Sequence, residues 1–338
     1  MIKSRNLVLA MAVLFVACAL GPVARAGTLS TDVIGMFPQN AGEFAYADLR
    51  QARGLSWFPQ LQNEMLPERF KELEKVLSAA GADPNVQVEE LAWALVPGGL
   101  PDSSAPNAST AVPTSEQVVG VALGSFQRDS TEAYFEAKKF PVAKVHNLNL
   151  YGFAGGSGAS DLFFVFIDAN TAAFGQRAML EKLINVRYGE EPGLFSNDEL
   201  SSLVTKANGS GIVWSVMTGA YTRLAMQQLT PEVSQFPQAQ QLTGKVHALT
   251  IAITAGTGVQ AHFQAVLDNP DDANTFAALL QAGLLYRRYQ VANSNPDLAA
   301  MLDAISVAPS GDQLDIRLSL TDDQVVGLIR RNTFAVGL

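Results

Sequence analysis

One cysteine, three histidines and no extended basic cluster in 338 residues remove several chemistries at once. The cysteine, Cys18, falls inside an N-terminal stretch that reads as a removable leader. Without it the chain has no thiol for disulfides, thiolate metal sites or cysteine nucleophiles. That leader, residues 1–26, carries three of the 23 Lys and Arg and none of the 32 Asp and Glu. The remaining chain is therefore more acidic than the formal −9 of the whole sequence, which disfavours phosphate backbones and anionic lipid surfaces. Nucleic acid is excluded as a partner on this ground. Beyond the leader, no apolar run approaches the roughly 20 residues of a membrane helix without meeting a charge, so no transmembrane segment is expected. Serine-hydrolase patterns, G-x-S-x-G and S-x-x-K, are absent after residue 26.

What is present begins with the leader. Lys3 and Arg5 form a positive n-region, NLVLAMAVLFVACAL is its apolar stretch, and Ala24-Arg25-Ala26 is an A-x-A cleavage site. This predicts a bacterial exported chain, periplasmic or secreted. Phe15-Val16-Ala17-Cys18 resembles a lipoprotein box only loosely, because Phe15 is a poor first residue and the later A-x-A site would lose its purpose. A lipid anchor at Cys18 is the disfavoured alternative.

Nearly half of the residues are hydrophobic, enough for large cores, and the length exceeds a usual single domain. Alternation predicts strands at 43–50, 90–96, 117–126, 162–168 and 212–218, and helical spacing predicts helices within 56–80 and at 129–140, 171–186 and 269–290. The segment 97–116, rich in Pro, Ser and Ala, reads as a loop, and NGSG at 208–211 as the domain boundary. The expected organisation is a signal peptide (1–26), a first half (27–208) and a second half (209–338).

Repetition is the strongest signal. VVGVALGSFQRDSTEAYFEA (118–137) aligns without gaps to VQAHFQAVLDNPDDANTFAA (259–278), placing Phe135 on Phe276. KVHNLNL (144–150) also aligns with KVHALTI (245–251), in a different register, and reads as one strand start used in two repeats. A hairpin with one apolar face must be covered by a helix, so the repeated unit is hairpin plus helix. The predicted fold class is α+β: two similar halves, each a mostly antiparallel sheet with helices packed on one face.

Candidate sites give way to structural readings. Period-two alternation puts His247 with Leu249, Ile251 and Ile253, and His262 on the opposite side of the hairpin, so the two are not joint ligands. His146 and His247 are related by repetition rather than proximity, and no zinc spacing supports them. GGSG (155–158) and AGTG (255–258) fall between strands and read as hairpin turns, not phosphate cradles. Asp129, Asp168, the Asp268–Asp272 group, Asp322 and Asp323 match helix starts better than a calcium loop. Asp129 with Glu132, and Ser196 with Glu199, have capping-box spacing. Trp57-Phe58 is expected to pack against the sheet, and Arg287-Arg288 and Arg330-Arg331 to complement helix C-termini. No catalytic, cofactor-binding or metal-binding residue is assigned.

FPQNAGEFAYADLRQARG (37–54), a proline followed by a strand ending Asp48-Leu49, together with the duplicated pattern behind it, resembles uncharacterised exported bacterial proteins with repeated α/β units. The resemblance implies location and architecture and transfers no site residue. The expected function is a non-enzymatic envelope or secreted protein that binds a protein or small ligand. An extracytoplasmic hydrolase with a dispersed Asp/His site is the alternative.

Overall fold

The computed structural model describes residues 27–55, 58–65, 68–98, 115–153, 161–229, 243–256 and 258–330. The leader with Cys18, most of 97–116, the GGSG tract, Trp57 and Arg331 lie outside the described residues.

The strands, in chain order, are β1 (Glu43–Asp48), β2 (Val88–Gly98), β3 (Ser115–Gly124), β4 (Val142–Val145), β5 (Leu148–Gly152), β6 (Leu162–Phe166) and β7 (Thr171–Gln176). They continue with β8 (Val213–Thr218), β9 (Val246–Gly256), β10 (Gly258–Leu267), β11 (Ile305–Ser310) and β12 (Gln313–Leu320). All belong to one antiparallel sheet ordered β11-β12-β10-β9-β8-β1-β2-β3-β7-β6-β5-β4. The α+β class is as expected. The halves do not form separate sheets, because β1 pairs directly with β8, Ala45 opposite Ser215. Outward from that pair the order runs β1-β2-β3-β7-β6 one way and β8-β9-β10-β12-β11 the other, with β4 and β5 added at one edge.

Short helices α1 (Thr31–Gly35), α2 (Leu49–Ala52), α3 (Phe58–Met65), α4 (Glu68–Ala79) and α5 (Pro84–Gln87) come first, followed by α6 (Arg128–Ala137), α7 (Arg177–Arg187) and α8 (Asp198–Ala207). The second half holds α9 (Gly219–Leu229), α10 (Pro270–Val291), α11 (Pro296–Asp303) and α12 (Asp322–Arg330). In that half the helices lie on one face: Tyr221, Phe276 and Val325 of α9, α10 and α12 pack on Leu249, Ala261 and Leu314. Leu73 and Leu77 of α4 and Phe135 of α6 cover the same face of the first half. Over the middle of the sheet a second layer, α1, α7 and α8, buries Phe44, Tyr46, Val119 and Trp214 from the other side. Strands covered on both faces need apolar residues at every position, as in LFFVF of β6, where all five are buried.

Three local expectations are corrected. Thr171–Gln176 is strand β7, not the start of a helix; its residues pair with β3 and β6, and Gly175 at φ +153° has a conformation no helix uses. The capping boxes shift. The N-cap of α6 is Gln127 without a side-chain cap, while Glu132 accepts from Arg128 Nε at 3.1 Å, and α8 is capped by Asn197, whose side chain accepts from Leu200 N. A capping box forms instead at α12, where Thr321 and Gln324 exchange hydrogen bonds. Finally, the Lys-Val-His tripeptides are not equivalent. Lys144-Val145 ends β4 and His146, at φ +50°, turns the chain into β5, whereas Val246-His247 begins β9. In the gapless alignment β3 falls opposite β10 and α6 opposite the start of α10, and Phe135 and Phe276 are both fully buried.

Candidate functional site

Each histidine sits beside its own carboxylate, and the three pairs are far apart. His262 Nε2 is 2.6 Å from Asp315 Oδ1 on the open, polar face of β10 and β12, where Gln264 also reaches Asp315. His247 pairs with Asp268 at the exposed start of β9. His146 stacks on Tyr188, ring centroids 4.1 Å apart, with Nε2 3.4 Å from Glu190. The alternation that grouped His247 with Leu249 does not hold, because a bulge between Val246 and Ala248 shifts the β9–β10 register and places Val246, not His247, in the core with Leu249. Six strands lie between β9 and β5, and seven steps at the usual strand spacing set His146 and His247 about 34 Å apart along the sheet.

The carboxylate groups serve local structure. Asp271 and Asp272 lie in the first turn of α10 behind the N-cap Asn269 and Pro270, and Asp272 also holds Lys245 at 2.6 Å. Asp168 accepts from Asn170 N in the β6–β7 turn. Among the described residues, no three His, Cys, Asp or Glu side chains are placed to hold a metal ion.

A concave feature lies elsewhere, against β2, β3, β6 and β7. A cavity of about 460 Å³ opens between the sheet and the layer formed by α2 to α5. Its floor is Leu91 of β2, Ala122 of β3, and Phe164 and Phe174 of β6 and β7. Phe174 lies flat because Gly120 beneath it has no side chain; a Cβ there would stand 2.1 Å from Phe174 Cζ. The roof is Phe70, Leu73 and Leu77 of α4, with Phe58 of α3 at the side. The helical layer is incomplete for reasons legible in the chain. Asp48 caps the one-turn α2, accepting from Gln51 N at 3.1 Å, Gly81 at φ +83° stops the chain after α4, and Pro84 sits at the first position of α5. Short, separately aimed helices do not close over a sheet as one long helix does.

Among the described residues, polar side chains reach the cavity from the helical side. Gln62 Nε2 donates to Glu74 Oε1 at 3.2 Å and to Asn85 Oδ1 at 2.8 Å. Burial pushes the Glu74 carboxyl above its ordinary range, against the hydrogen bond from Asn85. Arg53 Nη2 donates to the main-chain oxygens of Pro84, at 3.1 Å, and Val88. Burial lowers the Arg53 pKa, while Glu89, Asp83 and Asp48 pull it back up. An apolar chamber with a few convergent polar groups is the usual build of a small-molecule site, and its volume falls in the usual range of about 300–1,000 Å³.

Sequence reading placed Phe58 correctly as packing toward the sheet, at 7% exposure, and missed that it also walls a cavity. It also missed Glu43, a wholly buried carboxylate where β1 meets β8, which accepts from Ser215 Oγ at 2.9 Å and ties the two halves. No family model and no curated protein matches the chain. Among solved structures, the chain is weakly similar to TP0453, a Treponema protein. Crystal form I gives 13% identity and a TM-score of 0.47 over 89% of this chain and 98% of that one. Crystal form IV gives 12% and 0.44 over 90% and 97%.

Proposed function

We propose that this chain is an exported, non-enzymatic binding protein that holds one small apolar molecule in the cavity between α2–α5 and the sheet. The observation that carries the reading is the cavity wall: aromatic and aliphatic on floor and roof, polar on one side. Export is supported by the leader pattern of residues 1–26. Among the described residues, no helix is long and apolar enough to cross a membrane. An ancestral duplication accounts for the strand order that repeats outward from β1–β8 and for the match of Phe135 to Phe276. The hydrolase alternative is less well supported, because the His–carboxylate pairs lie on the surface away from the cavity, with His247 57% exposed.

The test is a titration with N-phenyl-1-naphthylamine, a neutral fluorophore that brightens in apolar surroundings. Saturable one-site binding, displaced by dodecanol, is expected. A non-saturating response, or none, refutes the proposal.

A further inference from the structure

Arg53 distinguishes this cavity from a plain apolar void. Its guanidinium is half-buried and lines a chamber whose other walls are mostly hydrocarbon. Both of its hydrogen-bond acceptors, the oxygens of Pro84 and Val88, are uncharged main-chain carbonyls. Arg50, Arg128, Arg177, Arg187 and Arg288 each ion-pair with a carboxylate, while among the described residues Arg53 does not. Glu74, an acid on the same polar side of the cavity, is engaged by Gln62 instead. A cation withdrawn from water favours a partner of opposite charge, and a planar guanidinium with five N–H donors suits an oxyanion.

From this arrangement we infer that the cavity takes a single-chain amphiphile with an anionic head, a carboxylate or a phosphate, its chain against Leu77, Leu91 and Phe174 and its head on Arg53. The inference rests on the apolar-ligand reading and narrows it to one chemical class. It is a demanding one, because the chain's net charge of −9 repels anions at long range, so selectivity for them must come from the local cation. Charge-assisted hydrogen bonds supply that preference.

Four ligands of one chain length separate the outcomes: dodecanoate, dodecyl phosphate, dodecanol and dodecyltrimethylammonium, each titrated below its micelle concentration against bound N-phenyl-1-naphthylamine. The wild-type protein should bind at least one anion about tenfold or more tighter than dodecanol, about 1.4 kcal/mol. The cation should bind weakest, and whichever anion binds tighter identifies the head group. Arg53→Gln should erase the preference while dodecanol binding persists, and Arg53→Lys should keep part of it. Because Arg53 also ties α5 to the α2 end, the wild-type series stands as an independent arm. Equal affinities for anion and alcohol in the wild type, or a preference that survives in folded Arg53→Gln, overturn the inference and leave the apolar pocket standing. Failure of all four ligands, with no fluorophore binding, overturns both.

Discussion

Replacing Ala122 with phenylalanine should fill the cavity from its floor. Ala122 is 5% exposed, lies between Leu91 and Ala172 on adjacent strands, and faces the space of about 460 Å³. Two effects of opposite sign compete. In a close-packed region the added ring would force neighbours aside and cost about 1–3 kcal/mol. Over an open cavity the ring meets no such resistance, and burying it contributes up to about 1.5–3 kcal/mol, reduced by its lost rotamer freedom. The space is several times the volume of one water, so the second effect should win or at least cancel the first. Urea denaturation should therefore show Ala122→Phe as stable as the wild type or up to about 2 kcal/mol more stable, with the m-value unchanged. The same variant should lose N-phenyl-1-naphthylamine binding by about tenfold or more, since the ligand and the ring compete for one space. A stability loss beyond about 1 kcal/mol would mean that the floor is packed and the cavity argument is unsound.

Three further outcomes check the surrounding architecture. Phe135→Ala should cost about 3–5 kcal/mol, more than Phe276→Ala, because Phe135 packs against the rings of Phe140, Tyr151 and Phe153 in addition to its buried area; urea melts of both variants give the comparison. Asn208→Ala should cost about 1–3 kcal/mol in the same assay, since Asn208 satisfies both the N–H and the C=O of buried Leu29 at 2.9 Å. Glu74→Gln should stabilise the protein at neutral pH. The folded-state pKa of Glu74 is raised by burial above an unfolded value of about 4.3, so its charged form carries a penalty that disappears as pH falls through the folded pKa. The gap between variant and wild type in thermal melts should narrow on acidification, and a gap that widens contradicts the assignment.

How much of this was legible in the chain depends on whether the signal was local. The hairpin β9–β10 and the helix α10 follow from alternation and from Asn269-Pro270 with its acidic first turn, and both are where periodicity puts them. Thr171–Gln176 was misread because TAAFGQ runs into a true helical pattern at Arg177; what makes it a strand is its pairing with β3 and β6, contacts distant in sequence. The Lys-Val-His identity misled for the opposite reason. Three residues carry too little information to fix a register, and a left-handed backbone at His146 cannot be read from its type. The cavity itself has a trace in the sequence, the Gly81 and Pro84 that separate α4 from α5. Its contents do not, because the floor comes from four strands between residues 88 and 176. Nothing local marks Arg53, which the fold sets beside the cavity.

The most direct measurement is a crystal structure of the protein with N-phenyl-1-naphthylamine bound. The account predicts density for the ligand between Leu77 above and Phe174 below, within reach of Phe58. A ligand found only elsewhere, such as against the exposed Leu285, Tyr286 and Tyr289 on α10, with the cavity between α4 and the sheet filled by its own side chains, would contradict it.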